Sequence, residues 1–372
     1  MVTDRTHLAF ALALHRLVAP DAERNACWSP YSVASALGMA AQAARGETKA
    51  ELLALLVGDP AGDVRKQAEL LVAAAQLDEV PYGESPTLSV ANTLWAWSEL
   101  PINEDFVVDL AGWPGGRVRT APFRADPDGA RRMINADVAD TTMGLIPELI
   151  PSGAVDEDTV ASLVNALYLR AAWRETFAKA RTESRPFHGP AGTRPVATMC
   201  RTGLAGYAAA SGWQVVTVPA AGGVDAVVLL PDGDLAEAEA ALDADRLAAL
   251  LAAPTSTRIE LFLPKVDVEV GVALTGPLRQ FGVERLFTGA ADLTALSPDP
   301  RLCVSDVLHR SVLRIDEEGL EGAAATAVLM RTLAMMGPRP DPPVVRVDRP
   351  FLLLVRHAAT GAIYFLTRIT QP

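Results

Sequence analysis

The sequence predicts a single mixed α+β domain built on a large sheet, and three observations predict it. Segments with helical spacing come first, before residue 88, and segments with strand character follow. Some of those strands are apolar on both parities, the pattern of strands covered on both faces. No linker or internal repeat divides the 372 residues, about half of them apolar. That composition can fill one large core or two smaller ones, and the missing linker favours one.

Taken in order, residues 7–18 carry Leu8, Ala11, Leu12, Leu14, Leu17 and Val18 at helical spacing and stop before Pro20. Residues 25–30 are a break, with Ser29 placed to cap a helix whose early positions are Pro30 and Tyr31. Residues 32–44, rich in Ala and Leu, read as a buried helix, and a second starts at Arg45 with Thr48 near its cap and runs to residue 57. Residues 63–77 form a further amphipathic helix, residues 88–97 a strand, and residues 126–142 another helix. Residues 160–171 are the strand apolar on both parities. Short strands are expected at 196–201, 214–219 and 224–231, one Ala/Leu helix over 234–252, and one strand over 259–270 around Pro264. The last two strands, 351–356 and 362–369, meet at a turn on Thr360 and Gly361.

Composition narrows the function. A net charge of −12 with no long basic run argues against nucleic acid, whose phosphates require clustered Lys and Arg. No uninterrupted apolar run reaches the ~18 residues of a spanning helix, so no membrane partner is expected. Residues 1–16, with Asp4, Arg5, His7 and His15, lack the regional order of a signal peptide, and the compartment stays open. Cys27, Cys200 and Cys303 lie far apart, without zinc spacing, and read as small core hydrophobes. His7, His15, His188, His309 and His357 are scattered, H-E-x-x-H, G-x-S-x-G and G-x-G-x-x-G do not occur, and GETK at residues 46–49 lacks the upstream Gly of a phosphate loop. No cofactor or metal is expected. Ser305, Asp306 and His309 invite a hydrolytic reading, but triads normally converge from distant segments. A hydrogen-bonded buried His at the start of a strand is the simpler assignment.

One stretch does not fit an ordinary core. Residues 317–341 follow an apolar, strand-like run and open with Glu317, Glu318, Gly319, Leu320, Glu321, Gly322, Ala323, Ala324, Ala325 and Thr326. As a strand, one parity would carry Leu320, Gly322, Ala324, Thr326, Val328, Met330 and Thr332 without a charge, while Glu321 and Arg331 fall on the other. The segment could therefore join a sheet as a central strand. The proline-rich residues 335–343 instead read as exposed coil.

Residues 281–319, FGVERLFTGAADLTALSPDPRLCVSDVLHRSVLRIDEEG, closely resemble the serpin segment that leads into the reactive-centre loop. DRPFLLLVRHAATGAIYFLTRITQP (348–372) resembles the family's C-terminal strands, NACWSPYSVASALGMAAQAARGET (25–48) its N-x-x-x-S-P-x-S opening, and SLVNALYLRAAWRETF (162–177) its central-sheet strand. The resemblance covers nearly the whole chain. It implies one domain over residues 1–372 with three β-sheets, about nine helices and an exposed reactive-centre loop at about 317–343. Carried over residue by residue, it implies that Ser29, Ser32, Asn165 and His309 form the polar shutter of the central sheet. Trp173 would mark the breach, where insertion begins, and Lys265 would pair with Glu317, the first hinge residue.

The hinge fits the inhibitory pattern except at Leu320, where Thr or Ser is usual, and Gly322, where Ala is usual. Family spacing from Glu317 puts the scissile bond at Leu333–Ala334, bait for a chymotrypsin-like and possible for an elastase-like serine protease; a shifted assignment to Arg331 would indicate trypsin-like targets. The expected role is that of a monomeric suicide substrate, not an enzyme. The protease would be trapped as a covalent acyl-enzyme when the cleaved loop enters the sheet. The alternative is a non-inhibitory serpin, with a binding or chaperone-like role, that is simply cleaved.

Overall fold

The computed structural model describes residues 5–81, 84–157, 159, 161–299, 302–321 and 341–372. The chain opens with helix α1 (Arg5–Val18), strand β1 (Ala26–Trp28) and helices α2 (Pro30–Ala43), α3 (Gly46–Val57) and α4 (Arg65–Ala74). Then come β2 (Thr87–Trp97), α5 (Glu104–Leu110), β3 (Gly116–Ala121), α6 (Pro127–Thr141), β4 (Ala161–Ala172), β5 (Glu183–Gly189), β6 (Gly192–Ala210), β7 (Trp213–Pro219) and β8 (Val224–Pro231). The remainder is α7 (Leu235–Ala240), α8 (Ala244–Ala252), β9 (Thr255–Pro264), β10 (Val266–Ala273), α9 (Thr275–Phe281), β11 (Leu308–Ile315), β12 (Gly319–Leu320), β13 (Val344–Arg346), β14 (Phe351–His357) and β15 (Ile363–Ile369).

The strands form two hydrogen-bonded networks. One sheet runs β10-β11-β12-β4-β2-β3; the other runs β1-β15-β14-β8-β7-β6-β9-β13, with β5 also on β6. The long strand β6 explains how three sheets become two networks. On one side it pairs with β9 throughout residues 198–207, while on the other its start holds β5 and its end, residues 206–210, holds β7. Two sheets thus share one continuous strand.

Several elements follow from the residues directly. α2 is apolar nearly all round and is buried nearly all round. Ser29 caps it, its Oγ accepting from Ser32 N at 3.1 Å, and Pro30 takes the first helical position, where a missing N–H costs nothing. β4 is apolar on both parities because both its faces are covered: Val164 and Ala166 pack with Ile134 and Val138 of α6, whereas Leu167, Leu169 and Ala171 join the main core with α2.

Three expectations are corrected. The strand at 196–201 is the middle of the 19-residue β6. The helix expected over 234–252 is two, because Asp243 caps a new one by accepting from Arg246 N at 2.7 Å. Thr48 lies in the first turn of α3, near its cap as expected, and its Oγ1 accepts from Asp292 N at 3.0 Å. The strand around Pro264 is split between the networks, β9 ending at Pro264 and β10 starting at Val266. Lys265 therefore sits at the corner where the chain crosses from one network to the other.

Candidate functional site

β11 ends at Ile315 and the chain reverses at once. Asp316 Oδ1 accepts from Glu318 N at 2.8 Å and from Gly319 N at 3.2 Å, while Asp316 N donates to Gly319 O at 3.1 Å. Such a side chain closes a turn by mimicking backbone. The returning residues are β12, Leu320 pairing with Ile315 of β11 on one side and with Ala171 of β4 on the other. Among the described residues β4 and β11 share no pairing, and this two-residue strand joins them. Gly319 is required by the fit: a Cβ there would lie 2.3 Å from Ala171 O. Leu320 is buried in the main core, so its bulk is accommodated within the sheet.

The expected pair of Lys265 and Glu317 is present. Glu317 is 5% exposed; its Oε2 accepts from Lys265 Nζ at 2.9 Å and its Oε1 from Thr182 Oγ1 at 2.7 Å. Burial alone would push the carboxyl up, but these two donors outweigh it and hold Glu317 below the usual carboxylate range. Trp173, buried at the end of β4, donates its indole N–H to Asp316 O at 2.8 Å and its backbone N–H to Glu318 O at 2.9 Å. Phe177 donates N–H to Glu317 O at 3.0 Å and sets its ring edge-on to Trp173 at 6.3 Å. The start of the segment expected as exposed loop is thus bound into the sheet as far as Leu320. Glu321, the last residue described here, has a left-handed φ of 58°.

The polar cluster lies further down β4 and β11. His309 Nε2 accepts from Ser29 N at 3.0 Å and from the Ser311 hydroxyl at 2.8 Å, which fixes the ring as neutral. Burial depresses its pKa to about 4. Asp306 accepts from Thr275 Oγ1 at 3.2 Å and takes no part, so the arrangement is not a triad. Asn165 is held apart from His309: its Nδ2 donates to Asn92 Oδ1, and Asn92 Nδ2 donates to Ser35 Oγ at 2.7 Å and to Pro114 O at 2.6 Å. Ser32 contributes its backbone N–H to the Ser29 cap. Two buried acceptors, Ser32 Oγ and Asn165 Oδ1, have no partner among the described residues. A small cavity here is lined by Leu163 and Asn165 of β4, by Leu308 and His309 of β11 and by Val33 and Leu37 of α2.

The four residues expected together fall in two separate clusters, Ser29 and His309 with Ser311 in one, Asn165 with Asn92 and Ser35 in the other, and Ser32 meets the first through its backbone N–H alone. Asn92, Ser35, Ser311, Thr182, Asp316 and Phe177 were not foreseen. Ser311 could have been, since it stands two residues from His309 on the same strand parity. Asn92 and Thr182 required the strand register and gave no local signal. Gly322, Ala323, Ala324, Ala325, Thr326, Arg331, Leu333 and Ala334 lie outside the described residues.

The family model described as Serpin (serine protease inhibitor) matches residues 5–372. Leukocyte elastase inhibitor of Sus scrofa is 32% identical, over 98% of this chain and 97% of its own. Serpin B8 of Homo sapiens is 31% identical with the same coverage. The crystal structure of uncleaved ovalbumin superposes with a TM-score of 0.84 over 99% of both chains, at 24% identity, a likeness of fold. The match spans β4, β11, β12 and both polar clusters alike, and the chain belongs to the serpin family.

Proposed function

We propose that the chain is a suicide-substrate inhibitor of chymotrypsin- or elastase-like serine proteases, with Leu333–Ala334 as the scissile bond. One observation carries the reading: the register of β12. Leu320 pairs with Ala171 and Ile315. Six residues on, Thr326 would stand opposite residue 171 − 6, Asn165, and residue 315 − 6, His309. A hydroxyl would then arrive between the two polar clusters at the level where Asn165 Oδ1 is unsatisfied. The same register turns Ala324, Val328 and Met330 inward with Leu320, the charge-free parity. On this reading the protease acylates on Leu333, cleavage releases the loop from Ala334, and its run into the gap carries the protease about 45 Å along the domain at ~3.3 Å per residue. The names of the elastase-inhibitor relatives agree with Leu333 as bait. Leu320, which departs from the usual hinge, is already packed within the sheet.

Incubation with chymotrypsin and with neutrophil elastase is expected to give a complex stable to denaturing electrophoresis, with a carboxyl-terminal fragment starting at Ala334 by mass spectrometry. Ala324→Asp, which brings a charge onto the buried parity, is expected to convert inhibitor to substrate. Clean cleavage without a complex in the unmodified chain would favour the non-inhibitory reading.

A further inference from the structure

Beside the hinge, and outside it, three guanidinium groups converge on a cleft of about 390 Å3: Arg174 just past β4, Arg201 in the middle of β6 and Arg356 on β14. We propose that this cleft binds a small organic anion, a carboxylate, sulfonate or phosphate head on an apolar body. The charges are under-matched. Glu175 and Asp225 are the facing carboxylates, two against three. Arg356 is nearly buried, its Nη2 stands 3.7 Å from Asp225 Oδ2, beyond hydrogen-bond length, and its Nε has no partner among the described residues. Arg201, 7% exposed, spends its donors on neutral carbonyls, Glu175 O at 2.7 Å and Leu204 O at 3.0 Å, with Glu175 Oε2 at 3.6 Å. Arg174 Nε donates to Ala220 O at 3.2 Å. A guanidinium carries five N–H donors shaped for an oxyanion, and a desolvated one without its match is costly unless something supplies the match.

The rest of the wall is largely apolar, with Thr217 and Ser256 as its neutral polar members. Leu251 and Pro254, from the end of α8 and the turn after it, close one side, and Leu204 stands at the lip with 57% of its surface exposed. A few polar groups converging at one end of a largely apolar recess is the usual form of a ligand site, and the volume falls at the lower end of the roughly 300–1,000 Å3 such sites span, room for a fused bicyclic body. The occupant would also touch the hinge support. Arg174 follows Trp173 and donates N–H to Pro219 O at 3.0 Å, and Arg201 lies over the Phe177 ring at 5.4 Å. The binding itself is independent of whether the chain inhibits proteases.

Isothermal titration of the full chain with naphthalene-2-sulfonate tests the site. One molecule is expected per chain, with 2-naphthol binding at least tenfold more weakly. Arg356→Gln and, separately, Leu204→Glu are each expected to weaken the sulfonate at least tenfold; the second change is at an exposed position and leaves the fold intact, so it decides the matter if the first variant does not fold. No binding, equal binding of the naphthol, or binding that Leu204→Glu leaves unchanged would overturn the proposal.

Discussion

At the top of the gap between β4 and β11, an almost wholly buried carboxylate, Glu317, is matched by an ammonium, Lys265, that keeps 40% of its side chain in water. Lower on the same strands the groups are all neutral: an imidazole, two amides and the hydroxyls of Ser29, Ser35 and Ser311. Depth accounts for the contrast. An ion pair is tolerable where one partner stays hydrated, because the full desolvation cost of two buried ions is avoided. Within the sheet no counter-charge reaches His309, and burial keeps it uncharged. The upper end is thus an ionic latch and the lower end a hydrogen-bonded one, and they should fail under different conditions.

The most disruptive test separates the two ends by expelling β12. Gly319→Val drives a side chain into Ala171 O and Ala172, and with Leu320 no longer buried the expected loss is about 3 kcal/mol. Hydrogen exchange should rise at the amides of Trp173 and Phe177, which are bonded to Glu318 and Glu317, and stay unchanged at Ser29; protection retained at Trp173 would show that β12 is not what ties the top of the gap.

Acid comes next. The folded pKa of His309 is about 4 against ~6.5 unfolded, so the unfolded chain takes up the proton first. The stability held by the neutral ring is complete above pH 6.5 and is lost as pH falls towards 4, on the order of 3 kcal/mol at the limit. Glu317 behaves otherwise: its depressed carboxyl keeps the latch charged above the ordinary carboxylate value of ~4.3 and releases it only below. Urea midpoints between pH 7 and 5 should therefore fall, and fall less in His309→Gln. His357, also depressed by burial, contributes the same sign in both proteins and cancels in the comparison. Parallel pH curves for the two would refute the assignment.

The mildest change is Thr182→Val, which removes one of the two donors to Glu317 and should cost about 1 kcal/mol. It should also raise the Glu317 pKa, measurable by carbonyl carbon NMR.

The sequence was informative where pattern is local. Both-parity apolar character identified β4, the Ser-Pro break located the α2 cap, and the resemblance paired Lys265 with Glu317, which are joined, and singled out Trp173, which bonds to the residues on either side of Glu317. What could not be read depends on pairing between distant strands. Asn92 meets Asn165 only because β2 and β4 align them directly, and Thr182 meets Glu317 only after the chain past β4 folds back over β12. The split at Lys265 escaped for a related reason: β9 and β10 are one continuous strand-like run in sequence, and only their different neighbours separate them.

Glu321 holds a left-handed backbone that costs an ordinary residue roughly 1–2 kcal/mol, and burial pushes its carboxyl up despite Arg314 nearby. An extended conformation would remove the first cost and, by parity, turn the side chain towards water. One or two kcal/mol is a factor of roughly 5 to 30 in a population, and that is the weight with which this residue's own backbone disfavours the turn it occupies.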